Sequence, residues 1–266
     1  MTLLIAALLG VVQGLTEFLP VSSTAHLLIG ARLLRFDDPG GVFTVMIQLG
    51  SIVAIMWLYR VKIVHVLRGL PSDRDARHFV LMIVVAFLPA AVAGALLSKF
   101  VKRVLYTTPT VIAVSFIVGG IIMLIVERYR PRPVVLDADH TSLSRALGIG
   151  ACQVLALVPG VSRSGATIVG AMLLGLDRPA AAEFSFILAM PTLTAAFLHD
   201  LIDARHELGT HRGLEIAVGF VFAFIASALV VRPFLALVRR SGFVPFAWYR
   251  IVAGLVLIAA LAAGWL

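Results

Sequence analysis

Residues 10–34, GVVQGLTEFLPVSSTAHLLIGARLL, and residues 150–174, GACQVLALVPGVSRSGATIVGAMLL, decide how this chain folds. Laid over each other at an offset of 140 (150 minus 10), Gly10 meets Gly150, Gln13 meets Gln153 and Leu15 meets Leu155. Val21-Ser22 then meets Val161-Ser162, Gly30-Ala31 meets Gly170-Ala171, and Leu33-Leu34 meets Leu173-Leu174. Each stretch is apolar at its ends and interrupted in the middle, at Pro20 or at Pro159-Gly160. The fragments on either side fall short of the roughly 20 residues that a helix needs to cross a bilayer. A broken backbone at membrane depth is tolerated only where it faces protein or a wet cavity. Regions 1–35 and 143–176 are therefore expected to be re-entrant helix–loop–helix pairs.

The rest of the chain supplies the membrane context. Of its 266 residues, 61% are hydrophobic and only 14% charged, and the mean hydropathy is +1.04. A soluble domain carries about 25% charged residues, so most of this chain lies in lipid. Six runs are long enough to span as helices: about 43–59, 78–97, 109–126, 181–202, 214–231 and 248–266. The expected fold is an all-α integral membrane domain over 1–266, with about six transmembrane helices and two re-entrant pairs. Three spans separate the interrupted stretches, and an odd number turns the second copy upside down. The copies, about 1–126 and 143–266, then form an inverted repeat, which brings the two breaks together near the midplane.

The net charge of +8 does not point to nucleic acid, because the basic residues sit in short loops between apolar runs. Segment 60–78 holds Arg60, Lys62, Arg68, Arg74 and Arg77; segment 127–145 holds Arg128, Arg130, Arg132 and Arg145; segment 232–247 holds Arg232, Arg239 and Arg240. Alternating spans put these three on one side, the cytoplasmic side by the positive-inside rule, facing anionic headgroups. Lys99, Lys102 and Arg103 on the opposing side run against that bias. Cys152 is the single cysteine, so no intrachain disulfide forms. Residues 1–12 lack a basic start and run into Gln13 and Glu17 instead of a small-residue cleavage site, so they read as mature chain. Gly119-Gly120 inside a span permits close helix packing and, with it, a homodimer.

The polar residues gather at the breaks. In PGVSRSGAT (159–167) a glycine-flanked turn opens a helix, aiming free N–H groups and the positive helix end at one spot. Arg163 adds a planar fork suited to phosphate, and Ser162, Ser164 and Thr167 add hydroxyl donors around Gly165. Hydroxyls inside a helix commonly bond back to carbonyls instead; an arginine at membrane depth has no such bland explanation. In the first break Gln13 and Glu17, four apart, share a helix face. Their carboxylate and amide oxygens suit a divalent cation, magnesium or calcium, with phosphate completing the shell. Ser22, Ser23 and Thr24 offer hydroxyls, and His26 a base near neutral pH. Without metal, Glu17 can instead pair with Arg163.

QGLTEFLPVSSTAH and PGVSRSGATIVGAMLLG resemble the two signatures of the undecaprenyl-diphosphate phosphatase (bacitracin-resistance) family, and IQLGSIVA, EFSFILAMPT and VPFAWYR are similar to further strings of it. The resemblance implies a multi-pass hydrolase of the bacterial cytoplasmic (inner) membrane. Such an enzyme removes the terminal phosphate of a polyprenyl diphosphate lipid at the outer face, recycles the carrier for peptidoglycan and lowers bacitracin sensitivity. It also implies divalent-cation dependence. By matching position, Glu17 is the metal or catalytic carboxylate with Gln13 at its partner position; Ser23 and His26 are nucleophile and base. Ser162, Arg163 and Thr167 fall on the phosphate loop. Gln13 stands where a second glutamate is frequent, and Thr44 where relatives often carry an acid. Either Ser23 attacks with His26 as base, or His26 activates a water. The competing expectation is a transporter or flippase of a phosphorylated lipid, since paired broken helices in inverted repeats are also a transporter plan.

Among the other charged residues, Glu183 is expected to start a helix or support the site. Asp137 and Asp139 suit a polar loop, and Asp177 and Arg178 a local pair. His199, Asp200 and Asp203 suit a solvated span end.

Overall fold

The computed structural model describes residues 2–38, 41–101, 108–204 and 212–264, without the side chains of 98, 99, 203 and 204. Lys99, Lys102, Arg103 and Asp203 therefore lie outside what can be described. Among the described residues eleven α-helices run in the order α1 (Thr2–Glu17), α2 (Ser23–Leu33), α3 (Val42–Leu58), α4 (Arg60–Gly69), α5 (Arg74–Phe100), α6 (Pro109–Tyr129), α7 (Leu143–Val154), α8 (Arg163–Leu173), α9 (Arg178–Ala204), α10 (Gly213–Ser241) and α11 (Val244–Ala262). Among the described residues the extended structure is limited to one isolated bridge, Val135 to Leu176. Helices α5, α6, α9, α10 and α11 are long and apolar enough to cross a membrane, and α3 with α4 makes a sixth candidate bent by 68°. The chain is an all-α multi-pass membrane protein.

Both interrupted stretches are helix–break–helix pairs, α1–α2 and α7–α8, the second with a 3-10 turn at Leu155–Leu157. Two features differ from the expectation. Residues 60–69 form helix α4, with no buried residue, where a loop was expected. Arg60 stacks on exposed Trp57 at the bend, 4.4 Å from the ring centre. Helices α9 and α10 also extend beyond the apolar runs, with Pro191 and Pro233 inside them.

The helices pack through small residues, as helices in lipid do when close backbone approach replaces the hydrophobic drive. α1 lies on α10, and α7 on α5. A Cβ on Gly10 would fall 2.3 Å from the Gly219 carbonyl oxygen, and one on Gly150 would fall 2.2 Å from that of Ala86. Gly10 and Gly150 are the residues that coincide in the overlaid sequences, and each makes the same close approach to a carbonyl of the other half. α6 and α11 meet reciprocally: Gly120 faces the Ala247 oxygen, and Gly254 faces that of Ala113. The offset is the same on both sides, 254 − 120 and 247 − 113, each 134.

One end of the molecule collects the three basic segments. Lys62 bridges Asp139 and Glu183, at 2.5 and 3.0 Å. Arg178 pairs with Glu127 at 2.7 Å, and Glu127 also accepts the Phe243 N–H at 2.6 Å. The expected local pair of Asp177 and Arg178 is thus replaced: Asp177 caps α9 through the Ala180 N–H, leaving Arg178 free to reach a distant carboxylate. Glu183 supports that lattice through Lys62. Asp137 holds its own 3-10 turn by accepting from the Asp139 N–H. At the other end Asp38 caps α3 at Phe43 and Thr44, and His199 lies beside Asp200 at 3.4 Å.

Gly150→Ala is expected to cost about 1–3 kcal/mol, because the new methyl meets backbone that cannot rotate away. A lowered thermal unfolding midpoint in detergent checks this. Gly94→Ala, with nothing within 4 Å of the added Cβ, is the matched control and should not lower it.

Candidate active site

Each break begins with a proline that ends helical bonding and finishes with a serine in a backbone state that L-residues avoid. Ser22 has φ 69° and Ser162 φ 74°, and they are equivalent at the offset of 140. Such a conformation costs about 1–3 kcal/mol and persists only where surroundings hold it. At Ser162 the holder is its own side chain, whose Oγ accepts the Gly165 N–H at 3.1 Å. At Ser22 it is His26, whose Nδ1 lies 2.8 Å from the Ser22 carbonyl. After each serine a new helix starts, α2 with Ser23 and α8 with Arg163. Ser23 and Arg163 are therefore also equivalent, each the first residue of a helix whose positive end looks into the same space.

The two starts converge on Glu17. Its Oε1 accepts from Arg163 Nη2 at 3.1 Å, and its Oε2 accepts from Ser23 Oγ at 2.6 Å and Gln13 Nε2 at 3.0 Å. Pair and hydroxyl face a cleft of about 80 Å³ lined from both breaks, among others by Ser22, Ser23, Thr24, Ser162 and Arg163. Arg163 is fixed from behind: Nη1 donates to the Ser185 carbonyl and hydroxyl at 3.1 and 3.3 Å. Its Nε is buried and, among the described residues, has no acceptor. A buried guanidinium with an unmet N–H beside a helix start is a phosphate-seeking arrangement.

Several expected site residues stand elsewhere. Gln13 is 2% exposed and turns its amide nitrogen to Glu17, so it orients the carboxylate instead of offering oxygen beside it. Thr167 is fully buried; its hydroxyl bonds back to the Arg163 carbonyl at 2.9 Å and meets Ser185 Oγ at 2.7 Å. Ser164 donates to the Leu19 carbonyl across the breaks at 2.7 Å. Both brace the site from outside the cleft. Gly165 is buried, and a Cβ added there would lie 3.0 Å from Arg250 Nη1 and 3.2 Å from Ser162 Cβ. His26 does not meet Ser23. Its Nδ1 donates to a carbonyl, which can only accept, and its Nε2 lies 2.5 Å from Tyr249 Oη. Its ring is stacked on that of Tyr249.

Four residues enter that spacing alone does not reveal. Gln48 of α3 lines the cleft, Ser185 of α9 anchors Arg163, and Tyr249 and Arg250 of α11 reach the breaks. Arg250 carried a signal, being a cation inside an apolar span; Gln48 and Ser185 carried none beyond strings of sequence. The charge count favours an anion. Arg163 and Arg250 supply two positive charges at the breaks, against one negative charge on Glu17.

The model of the bacitracin resistance protein BacA family matches residues 6–256. The undecaprenyl-diphosphatase of Paracoccus denitrificans is 49% identical over 262 residues, covering 98% of both chains. That of Cereibacter sphaeroides is 51% identical over 264 residues, covering 99% of this chain and 98% of its own. Undecaprenyl-diphosphatase 1 of Agrobacterium fabrum is 52% identical over 256 residues, covering 96% of each. With the match spanning nearly its whole length and both breaks falling inside it, this chain belongs to the bacitracin resistance protein family.

Proposed function

We propose that the protein hydrolyses undecaprenyl diphosphate to undecaprenyl phosphate and phosphate at the outer face of the bacterial cytoplasmic membrane. This returns the lipid carrier to peptidoglycan synthesis and confers bacitracin resistance. The single observation that carries the reading is Glu17, which accepts from Arg163 on one oxygen and from Ser23 on the other. An acid that bridges an anion clamp and a hydroxyl across two helix starts is a layout for phosphoryl transfer. The names of the relatives agree with it, and the clustering of the basic segments through the Lys62 and Arg178 ion pairs supports a cytoplasmic face there, with the cleft opening to the other side. The equivalent glycine contacts and equivalent serines support inverted repeats over about 1–126 and 143–266.

The chemistry follows from the contacts. An entering terminal phosphate takes Arg163 and the open N–H groups of α8, displacing the Glu17 carboxylate from the guanidinium. That leaves Glu17 as the base beside Ser23, the nearest proton acceptor to a hydroxyl already pointed at it. As the Ser23 Oγ–P bond forms, the proton passes to Glu17. The bond from phosphorus to the bridging oxygen breaks, and its electron pair leaves on undecaprenyl phosphate. Water then attacks the phosphoserine phosphorus, the Ser23 Oγ–P bond breaks as Glu17 hands the proton it holds to Oγ, and phosphate leaves with the water's oxygen and both its protons. His26 holds the Ser22 carbonyl and so the turn that aims Ser23.

A divalent cation, magnesium or calcium, fits this site only in part through the protein. Among the described residues no three His, Cys, Asp or Glu side chains converge, and Glu17 is the carboxylate in the cleft. Calcium wants six to eight oxygens, whereas magnesium is commonly held by one or two carboxylates plus substrate phosphates. Glu17, with the Gln48 amide nearby, would hold magnesium in that second manner. When bound it would neutralise charge on the diphosphate.

Phosphate release from undecaprenyl diphosphate by the purified protein is expected to fall at least 10²-fold in Glu17→Gln and Ser23→Ala. His26→Ala, which releases the Ser22 turn that aims Ser23, should lose less than these, about tenfold to 10²-fold. Wild-type activity in Glu17→Gln would remove the base assignment, and lipid translocation in vesicles with no phosphate release would favour the flippase instead. The metal reading expects a chelator to abolish turnover and magnesium to restore it, with no cation retained by the substrate-free protein in equilibrium dialysis.

A further inference from the structure

Arg250 sits in the middle of an apolar helix and is 1% exposed. Among the described residues it meets no carboxylate. Its donors go to five backbone carbonyls: Pro20, Gly160 and Val161 at 3.1, 2.9 and 2.8 Å, and Ser115 and Phe116 at 3.0 and 3.5 Å. Pro20 belongs to the first break, Gly160 and Val161 to the second, and the last two to α6. Room for the fork is made by two glycines. A Cβ on Gly119 would lie 2.1 Å from Nη2, and one on Gly165 would lie 3.0 Å from Nη1.

Packing alone does not explain this side chain. A cation at membrane depth is costly without a counter-charge, and here it lies beside the start of α8, a helix end of its own sign. An apolar side chain would fill the volume without either cost. What an apolar side chain cannot do is bind carbonyls of both breaks in one rigid plane. A guanidinium has five N–H donors in a fixed fork, while an ammonium carries three on one atom.

We propose that Arg250 is a positioning residue, setting the spacing between the Ser23 half and the Arg163 half of the site; this rests on the phosphatase reading given above. Pro20 stands three residues before Ser23, and Val161 two before Arg163. Turning the Val161 carbonyl toward Arg250 also turns the Ser162 N–H of the same planar trans peptide the opposite way. Each half keeps its own bonds without Arg250. Ser162 still caps α8, Ser185 still holds Arg163, and Ser23 still meets Glu17. What is lost is their register. Phosphate therefore binds, but attack is misaligned, and the effect falls on kcat more than on KM.

The test is phosphate release from undecaprenyl diphosphate by the monodisperse fraction of full-length wild type, Arg250→Ala, Arg250→Lys and Gly119→Ala in one detergent. Both Arg250 variants should lose about 10²-fold in kcat, the usual cost of a misplacement near 1 Å, with KM within about threefold. Methylguanidinium should restore about tenfold to Arg250→Ala and nothing to Arg250→Lys, whose ammonium blocks the slot. Gly119→Ala, which pushes the fork aside, should lose kcat in the same sense. A kcat near wild type in Arg250→Lys, or a KM that rises in step with the loss, overturns the proposal. If Arg250→Ala yields no monodisperse protein, Arg250→Lys and Gly119→Ala decide by the same criterion. An inactive wild type removes the phosphatase reading and the proposal with it, whereas an active wild type with an indifferent Arg250 removes only the proposal.

Discussion

Interrupting a helix at membrane depth strands peptide groups that lipid cannot hydrogen-bond, and the site is built from the ways this chain meets them. Carbonyls left over at Pro20, Gly160 and Val161 go to the Arg250 guanidinium. The Leu19 carbonyl goes to the Ser164 hydroxyl, and the Ser22 carbonyl to His26. With acceptors satisfied from behind, the N–H groups at the starts of α2 and α8 are left for a ligand. The polarity of the cleft is thus a by-product of how the breaks are made tolerable in lipid. The Glu17–Arg163 pair closes the gap across the cleft. A buried ion pair is weak evidence for stability, and this one is better understood as two groups that an anion can separate.

The breaks, the spans and the convergence of Glu17 on Arg163 were legible in the sequence because each rests on a local rule. Proline and glycine punctuate helices, length decides spanning, and a carboxylate and a guanidinium set in apolar surroundings need each other as partners. What was not legible depends on distant partners. Arg178 passes over its neighbour for Glu127, 51 positions away, because Asp177 is spent on a cap. His26 turns from Ser23 to Tyr249, 223 positions away, which no spacing near residue 26 could reveal. Gln13 shares a face with Glu17 as its spacing of four requires, but which end of its amide points inward depends on the carboxylate having no proton to give. Helix α4 escaped because its basic residues read as a loop and it buries nothing, although Ile63, Val64, Val66 and Leu67 stand at helical spacing.

Two arginines near one cleft do opposite work. Arg163 keeps part of its fork unmet and faces a carboxylate that can move aside. Arg250 spends its fork on main-chain oxygens, which are fixed, neutral and not displaceable by a ligand. On the reading proposed above, their surroundings, and not the residue type, separate clamp from frame.

The meeting of α6 with α11 carries a consequence for how such a chain could arise. Gly120 sits on Ala247 as Gly254 sits on Ala113, so either side of the seam could be exchanged for the other. A self-complementary joint of this kind is what two separate polypeptides of half the length would need to pair with one another in opposite senses across a bilayer. On the inverted-repeat reading proposed above, joining them end to end would make the pairing obligatory and would let one member carry a serine and the other an arginine at the same structural position.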